Sequence, residues 1–140
     1  MLDFGAGTGY GIIDGLGPDM VFYEYSATVD LGPPIGPEPG ILLDFTLIEL
    51  SADGANWFPV FDWDGNPGGV SGTNIDSYAA VESENEPIPS RDLYGTLPYK
   101  TGIAIDIGVW TSPGYSYRYV RFTYPAGTQG AQVDAVERLH

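Results

Sequence analysis

Acidic side chains are the groups in this chain whose chemistry can be read most directly. The sequence holds 19 Asp and Glu residues against five Lys and Arg, a single His and no Cys. Calcium prefers about six to eight oxygen ligands, drawn from carboxylates, backbone carbonyls and water. The acidic composition fits solubility, binding of a cation, or life in salty or calcium-rich surroundings. The absence of Cys excludes disulfide bonds and thiol chemistry.

The first candidate metal site lies where a glycine-rich loop runs into an apolar strand. Residues 9–25, GYGIIDGLGPDMVFYEY, place Asp14 and Asp19 in the loop and Glu24 at the end of the strand. Glycines allow such a loop to turn its carbonyls towards an ion, and the carboxylates supply charge. We predict a structural calcium site here. The alternative is that Asp14 and Asp19 cap turns through hydrogen bonds from side chain to backbone.

The second acidic group begins with the sequence DWDGN, which contains Asp62, Asp64 and Asn66. It resembles a calcium loop, but Gly65 stands at the fourth position rather than the sixth, and no Glu closes the loop at the twelfth. The segment therefore departs from the EF-hand pattern. We predict that Asp64, Asn66 and Asp76 contribute to an irregular ligand or metal site. The alternative is a solvated acidic loop.

Aromatic side chains form the third candidate site. Flat aromatic rings can stack against the apolar C–H faces of sugar rings. Gly and Pro residues near Trp63 and Trp110 place both on loops, so we predict that these two contact a ligand. Trp57 lies inside a predicted strand and is expected in the core. Three further residues could extend the platform, or could instead pack across strands on one sheet face: Tyr115, Tyr117 and Tyr119.

Charge and residue inventory exclude several functions. The formal net charge is −14, whereas nucleic-acid binding needs Lys and Arg to displace counterions from phosphate. No apolar run reaches membrane-spanning length. The single histidine, His140, is the last residue, so a Ser-His-Asp triad has no fixed base. We predict a protein without catalytic activity that neither binds nucleic acid nor inserts into membranes. Hydrolysis of glycosides by two carboxylates is the weaker alternative.

The sequence predicts that these side chains are carried by β-strands and the turns between them. Twenty Gly and twelve Pro among 140 residues indicate many turns, and no long stretch has uninterrupted apolar residues at helical spacing. Strands are predicted at residues 2–4, 20–25, 41–51, 56–61, 102–108, 115–124 and 131–139. Irregular segments are predicted at 26–40 and 62–98, and turns at 52–54, 112–114 and 125–130. The pattern predicts one all-β domain over residues 1–140, an antiparallel two-sheet sandwich.

Five segments carry a resemblance to a known family. They are LDFGAGTGYGIIDGLGPDMVFYEY, LIELSADGANWFPV, GIAIDIG, YRYVRFTYP and AQVDAVERL. In this order they resemble bacterial secreted and cell-surface domains with a discoidin-like, or galactose-binding-like, jelly-roll sandwich. The resemblance implies a structural calcium near a sheet edge, with Asp134 or Glu137 completing the first metal site, and a ligand on the loops at one end. The chain departs from the family in lacking a strand before LDFG, which exposes a sheet edge.

Composition and resemblance together lead to a functional expectation. We expect a non-catalytic binding or adhesion module at the cell surface or outside the cell. Calcium would stabilise it, and carbohydrate or another cell-surface ligand would bind to it. We expect the chain to be either a domain cut from a longer secreted protein or a mature segment with a start codon added. The alternative is a structural subunit of a surface layer or filament that self-associates through the exposed sheet edge.

Overall fold

The computed structural model describes residues 1–5, 11–25, 29–33, 36–96, 100–111 and 115–140. The protein is all-β, with 43 % of residues in strands and 8 % in helices, which confirms the predicted class. Part of the predicted glycine-rich loop, at residues 6–10, lies outside the described residues, as does the predicted turn at 112–114. The same holds for residues 26–28 and 34–35 of the predicted irregular connection.

The described residues contain twelve strands and three short 3-10 helices. The strands are β1 (Leu2–Asp3), β2 (Ile12–Ile13), β3 (Met20–Glu24), β4 (Val29–Gly32), β5 (Gly36–Leu43), β6 (Thr46–Ser51), β7 (Phe58–Trp63), β8 (Glu86–Pro89), β9 (Gly102–Ile105), β10 (Ser116–Tyr117), β11 (Tyr119–Thr123) and β12 (Val133–Arg138). The 3-10 helices are Asp76–Tyr78, Ser90–Asp92 and Ile107–Val109.

The strands form antiparallel sheets, in the orders β1-β11-β6-β7, β12-β3-β9, β4-β5-β8 and β10-β2. Pro59 lies in β7, the outer strand of the first sheet, and the register shifts between Ile48 and Glu49 of the neighbouring β6. Proline cannot donate to the hydrogen-bond ladder, so an edge strand beside a bulge is where it is tolerated. Pro59 therefore lies at a position where the sheet tolerates it.

One continuous hydrophobic core joins the sheets. Met20 and Phe22 alternate on the inner face of β3, as the two-residue period predicts, and both are fully buried. The Phe22 ring lies 6.5 Å from that of Phe61 on β7 and 5.7 Å from that of Phe122 on β11. Because β7 and β11 belong to a different sheet from β3, these contacts pack one sheet face against another. The architecture is consistent with a β-sandwich.

The chain changes sheets where a single strand was predicted. One strand was predicted over residues 41–51, yet β5 ends at Leu43 and β6 begins at Thr46. Strand β5 pairs with β4 and β8, whereas β6 pairs with β11 and β7. Asp44 and Phe45 therefore form a corner between two sheets. Strands β4 and β8 were also missed, since both lie in segments predicted to be irregular.

Candidate functional site

Three aspartates come together at one end of β3. Asp14 follows β2, Asp19 precedes β3, and Asp106 separates β9 from the helix Ile107–Val109. Carboxylate oxygens of all three lie within 4.8 Å of one another. The structure thus joins two of the predicted metal ligands and adds Asp106. Sequence reasoning missed Asp106 because it placed this residue inside the alternating strand GIAIDIG, whereas β9 ends one residue earlier.

Asp19 is the buried centre of this cluster, and both of its carboxylate oxygens have donors. Gly15 N–H donates to Oδ1 over 2.6 Å, and Ile107 N–H donates to Oδ2 over 3.0 Å. Burial raises the pKa of Asp19; the two N–H groups oppose this effect, and the charges of Asp106 and Asp14 add to it. Turn capping, the alternative to metal binding, is therefore what the Asp19 side chain does in this structure.

The remaining predicted metal ligands lie elsewhere. Glu24 stands at the opposite end of β3 from Asp19, about 17 Å along an extended strand. Asp134 is exposed and occupies the register shift of β12. Glu137 accepts a hydrogen bond from the Tyr23 hydroxyl over 2.7 Å. Of the predicted set, which was Asp14, Asp19 and Glu24 completed by Asp134 or Glu137, only the first two are brought together. The sequence did not indicate at which end of a strand each acid would lie.

Glu24 instead faces a second group of acids. Its Oε1 accepts a hydrogen bond from Asp44 N–H over 3.3 Å. Burial raises the pKa of Glu24 to about 8; the Asp44 N–H lowers it and the Asp44 charge raises it. Burial also raises the pKa of Asp44, with a further contribution from the charge of Glu84, while the Asn85 N–H acts in the opposite direction. Neither Asp44 nor Glu84 was singled out in the sequence as a ligand.

The DWDGN segment forms a third acidic group with one unexpected member. Asp64 accepts hydrogen bonds from the Asn66 backbone N–H over 2.8 Å and from the Asn66 side chain over 2.9 Å, which makes a local turn. Glu82 is 9 % exposed, and its pKa is raised by burial first and also by the charges of Asp62 and Asp64. Asp76 begins a separate 3-10 helix.

Aromatic residues line a groove at the edge of the first sheet. The groove has a volume of about 340 Å³. Trp110, one of the predicted ligand contacts, lies in it, and its indole Nε1 donates to the Ser71 carbonyl over 3.0 Å. The full lining is Ala52, Asp53, Asn56, Phe58, Trp110, Thr111, Tyr115 and Tyr117. The Phe58 and Tyr117 rings meet edge to face with centroids 5.9 Å apart.

The other two tryptophans do not line this groove. Trp63 is 0 % exposed and donates its indole N–H to the Ser83 carbonyl over 2.9 Å. Its ring therefore belongs to the core and is closed to a ligand, contrary to the predicted contact role; it ends strand β7 instead of lying on a loop. Trp57, expected in the core, is partly exposed and stacks under the Arg121 guanidinium, whose carbon lies 4.1 Å from the ring centroid.

Comparison with known proteins leaves the function to be inferred from this geometry. No family model, curated protein or solved structure matches the chain. Among the described residues, no helix has the length and apolar character needed to cross a membrane.

Proposed function

We propose that this chain is a non-catalytic carbohydrate-binding module that acts at the cell surface or outside the cell. The observation that carries the proposal is the groove at the edge of the first sheet. Phe58, Trp110 and Tyr115 leave 44 %, 37 % and 59 % of their surfaces exposed around one concave site. Asp53 and Asn56 add polar groups beside them. We further propose that the sandwich has the jelly-roll topology of the family it resembles.

The chemistry of the groove fits a sugar ring. An aromatic face contacts the apolar C–H side of a pyranose, while polar side chains around the rim bond its hydroxyl groups. The hydrogen bond from Trp110 to the Ser71 carbonyl fixes the indole before a ligand arrives. A side chain held in its binding orientation loses little conformational entropy on association, which favours affinity.

The electrostatics narrow the ligand class. The chain carries a formal net charge of −14, and a hydrogen-bonded turn holds the pKa of Asp53 at the groove well below its ordinary value. Hydrogen bonds from the Asn56 and Ala55 backbone N–H groups are its two largest causes. A negatively charged rim repels uronic acids, sialic acids and sulfated sugars. Neutral glycans are therefore the proposed ligands.

Two matched tyrosines provide a test. Tyr115 in the groove and Tyr124 outside it are 59 % and 58 % exposed. We expect Tyr115→Ala and Trp110→Ala to weaken binding by about tenfold or more, because each removes a stacking surface, whereas Tyr124→Ala leaves it unchanged. Isothermal titration with neutral oligosaccharides selected on a glycan array gives the affinities. A silent array, or equal losses in all three variants, contradicts the proposal.

A second candidate function is self-assembly through sheet edges. Strands β1 and β12 are outer strands of different sheets, and a groove of about 570 Å³ lies between them. Its apolar lining includes Leu2, Phe4, Phe122, Val133 and Val136. An outer strand presents unpaired backbone groups to which a strand of another copy can add. This arrangement supports the alternative of a structural subunit in a surface layer or filament.

Light scattering distinguishes assembly from the monomer. Because each copy is strongly acidic, association is expected to increase with salt, which screens the repulsion. Val133→Asp should reduce it by placing a charge in the groove, and Val109→Asp is the control, since Val109 is exposed outside that groove. A monomer at high protein and salt concentration rules this function out.

A further inference from the structure

Two buried carboxylate oxygens near the C-terminal end of β3 have no hydrogen-bond donor. Glu24 is 3 % exposed, and among the residues that the structure describes no group donates to its Oε2. The buried Oδ1 of Asp44 likewise receives no hydrogen bond within the described part of the chain. The Asp44 backbone N–H donates to Oε1 of Glu24, and the charge of the Asp44 side chain acts on the Glu24 carboxyl. The two acids therefore lie in the same region of the fold.

Such an arrangement is costly without a positive partner. A buried carboxylate that lacks donors loses its hydration without replacement, and a second carboxylate beside it adds repulsion. Glu84 adds a third negative group, whose charge acts on Asp44. Its Oε1 accepts a hydrogen bond from Gln129 N–H over 2.9 Å, which holds the side chain in position. Buried charges in proteins are usually paired or coordinate a metal.

The aspartate cluster at the other end of β3 shows the contrast. Both oxygens of Asp19 are occupied by backbone N–H groups, so the fold itself satisfies that buried acid. At Glu24 and Asp44 the fold leaves one oxygen on each residue unoccupied. Bare oxygens of two neighbouring acids offer ligands to a hard cation.

We propose that Glu24 and Asp44 bind a calcium ion at the corner between β5 and β6, with Glu84 contributing negative charge from the surrounding shell. Among the described residues, only Asp14, Asp19 and Asp106 form a group of three acids whose oxygens all lie within 4.8 Å of one another. The oxygens of Glu24, Asp44 and Glu84 are therefore not all that close together. We accordingly assign Glu84 a nearby negative charge and not a direct bond to the ion. Backbone carbonyls and water complete the ligands that calcium requires. Asp44 and Glu84 are only half-buried, which gives the ion access from solvent.

The consequence for the fold is a link between sheets. Asp44 lies where the chain leaves the sheet of β5 for the sheet of β6, and Glu24 ends β3 in a third sheet. An ion bound to both residues ties this corner to the strand that carries the core residues Met20 and Phe22. Binding to the folded state alone stabilises that state. This inference does not depend on the proposed sugar groove, and the two fail separately.

The test measures calcium binding and thermal stability of the full chain after EDTA treatment. At about 100 times its Kd, calcium is expected to raise the Tm by roughly 10 °C. Sodium chloride at matched ionic strength is the reference, since it reproduces general screening of the acidic surface. Glu24→Gln and Asp44→Asn keep the side-chain shapes but remove a ligand charge, so each should lose most of the rise. Asp106→Asn, in the aspartate cluster, is the matched control and should retain it.

Each outcome decides the assignment. Loss of the rise and of the calorimetric binding signal in Glu24→Gln and Asp44→Asn, with both retained in Asp106→Asn, supports the site. The proposal is overturned when wild-type chain shows no response beyond sodium chloride, when Glu24→Gln and Asp44→Asn respond as the wild type does, or when Asp106→Asn loses the response. Should Glu24→Gln fail to fold, Asp44→Asn and Glu84→Gln decide instead, the latter by weakening binding without abolishing it.

Discussion

Two buried acids at opposite ends of β3 show how much the surroundings decide the role of a residue. Asp19 and Glu24 are both buried, and burial raises the pKa of each. Asp19 holds two loops through backbone N–H groups, whereas Glu24 keeps a carboxylate oxygen without a donor. Asp19 thus connects two segments of the chain through hydrogen bonds. Glu24 is a position from which an ion can be bound.

Replacing Asp19 should show how much its two hydrogen bonds stabilise the fold. Asp19→Ala leaves the N–H groups of Gly15 and Ile107 without acceptors, so we expect a loss of about 2–4 kcal/mol in the free energy of unfolding. Asp19→Asn keeps one acceptor oxygen and should cost less. Asp14→Asn removes only a partly exposed neighbouring charge and serves as the control. Urea unfolding measures all three; equal stability of Asp19→Ala and wild type would refute this role.

The candidate sites could be predicted only in part from residue types. The loop context of Asp14 and Asp19 indicated a shared site, and the structure places them together. Asp44 and Glu84 could not be identified as candidate ligands, because nothing in the local sequence distinguishes them from other acids. Their proximity to Glu24 depends on which strands meet in the folded chain. Trp63 was misassigned because nearby glycines suggested a loop, whereas its ring closes the core from the end of β7. Burial of a side chain is a tertiary property.

At the level of elements, the residue pattern predicts strands well and corners poorly. Strand β3 was predicted within one residue of its end from the run of apolar and aromatic residues that begins at Met20. Across the corner at Asp44 and Phe45 the buried apolar positions change from odd-numbered in β5 to even-numbered in β6. The sequence has apolar residues in both phases, so this change was not recognised. Strand β8 contains Pro87 and Pro89, which argue against a strand except at a sheet edge, and β8 is an outer strand.

Strand β3 is the element on which the packing of the sheets depends, and Phe22 tests this directly. Its ring contacts Phe61 and Phe122 of the facing sheet. Phe22→Ala should lower the free energy of unfolding by about 3–5 kcal/mol, the cost of lost burial plus a cavity. Tyr25→Ala, one residue beyond the strand and 66 % exposed, should change it by about 0.5 kcal/mol or less. A cost below about 1 kcal/mol for Phe22→Ala would mean that the sheets do not share this contact.

At the scale of the whole molecule, the balance of charge sets the conditions in which the fold is most stable. The sequence pI is about 4.1, so the chain is strongly anionic at neutral pH and repels itself. One set of carboxyls adds stability above pH 4. The Arg118 guanidinium and the Gly5 N–H lower the pKa of Asp3 from 3.8 to about 2, and the turn at Asp53 acts in the same direction. The contribution of Asp3 is lost as the pH falls from about 4 to 2, and that of Asp53 is lost as the pH falls further.

A second set of carboxyls acts in the opposite direction. Burial raises the pKa of Asp19, Asp62 and Glu82 above their ordinary values of 3.8, 3.8 and 4.5. A group that holds its proton more tightly when folded favours the folded state most below its unfolded pKa, and that advantage disappears as the pH rises through its folded pKa.

Both sets of carboxyls and the net charge therefore predict maximal stability near about pH 4–5 in EDTA. Urea unfolding from about pH 3 to 9 measures this. Salt should stabilise the chain most at the alkaline end, where repulsion is strongest. A maximum above about pH 7 would show that the buried acids are ionised at little cost, because their burial would then not favour the protonated form.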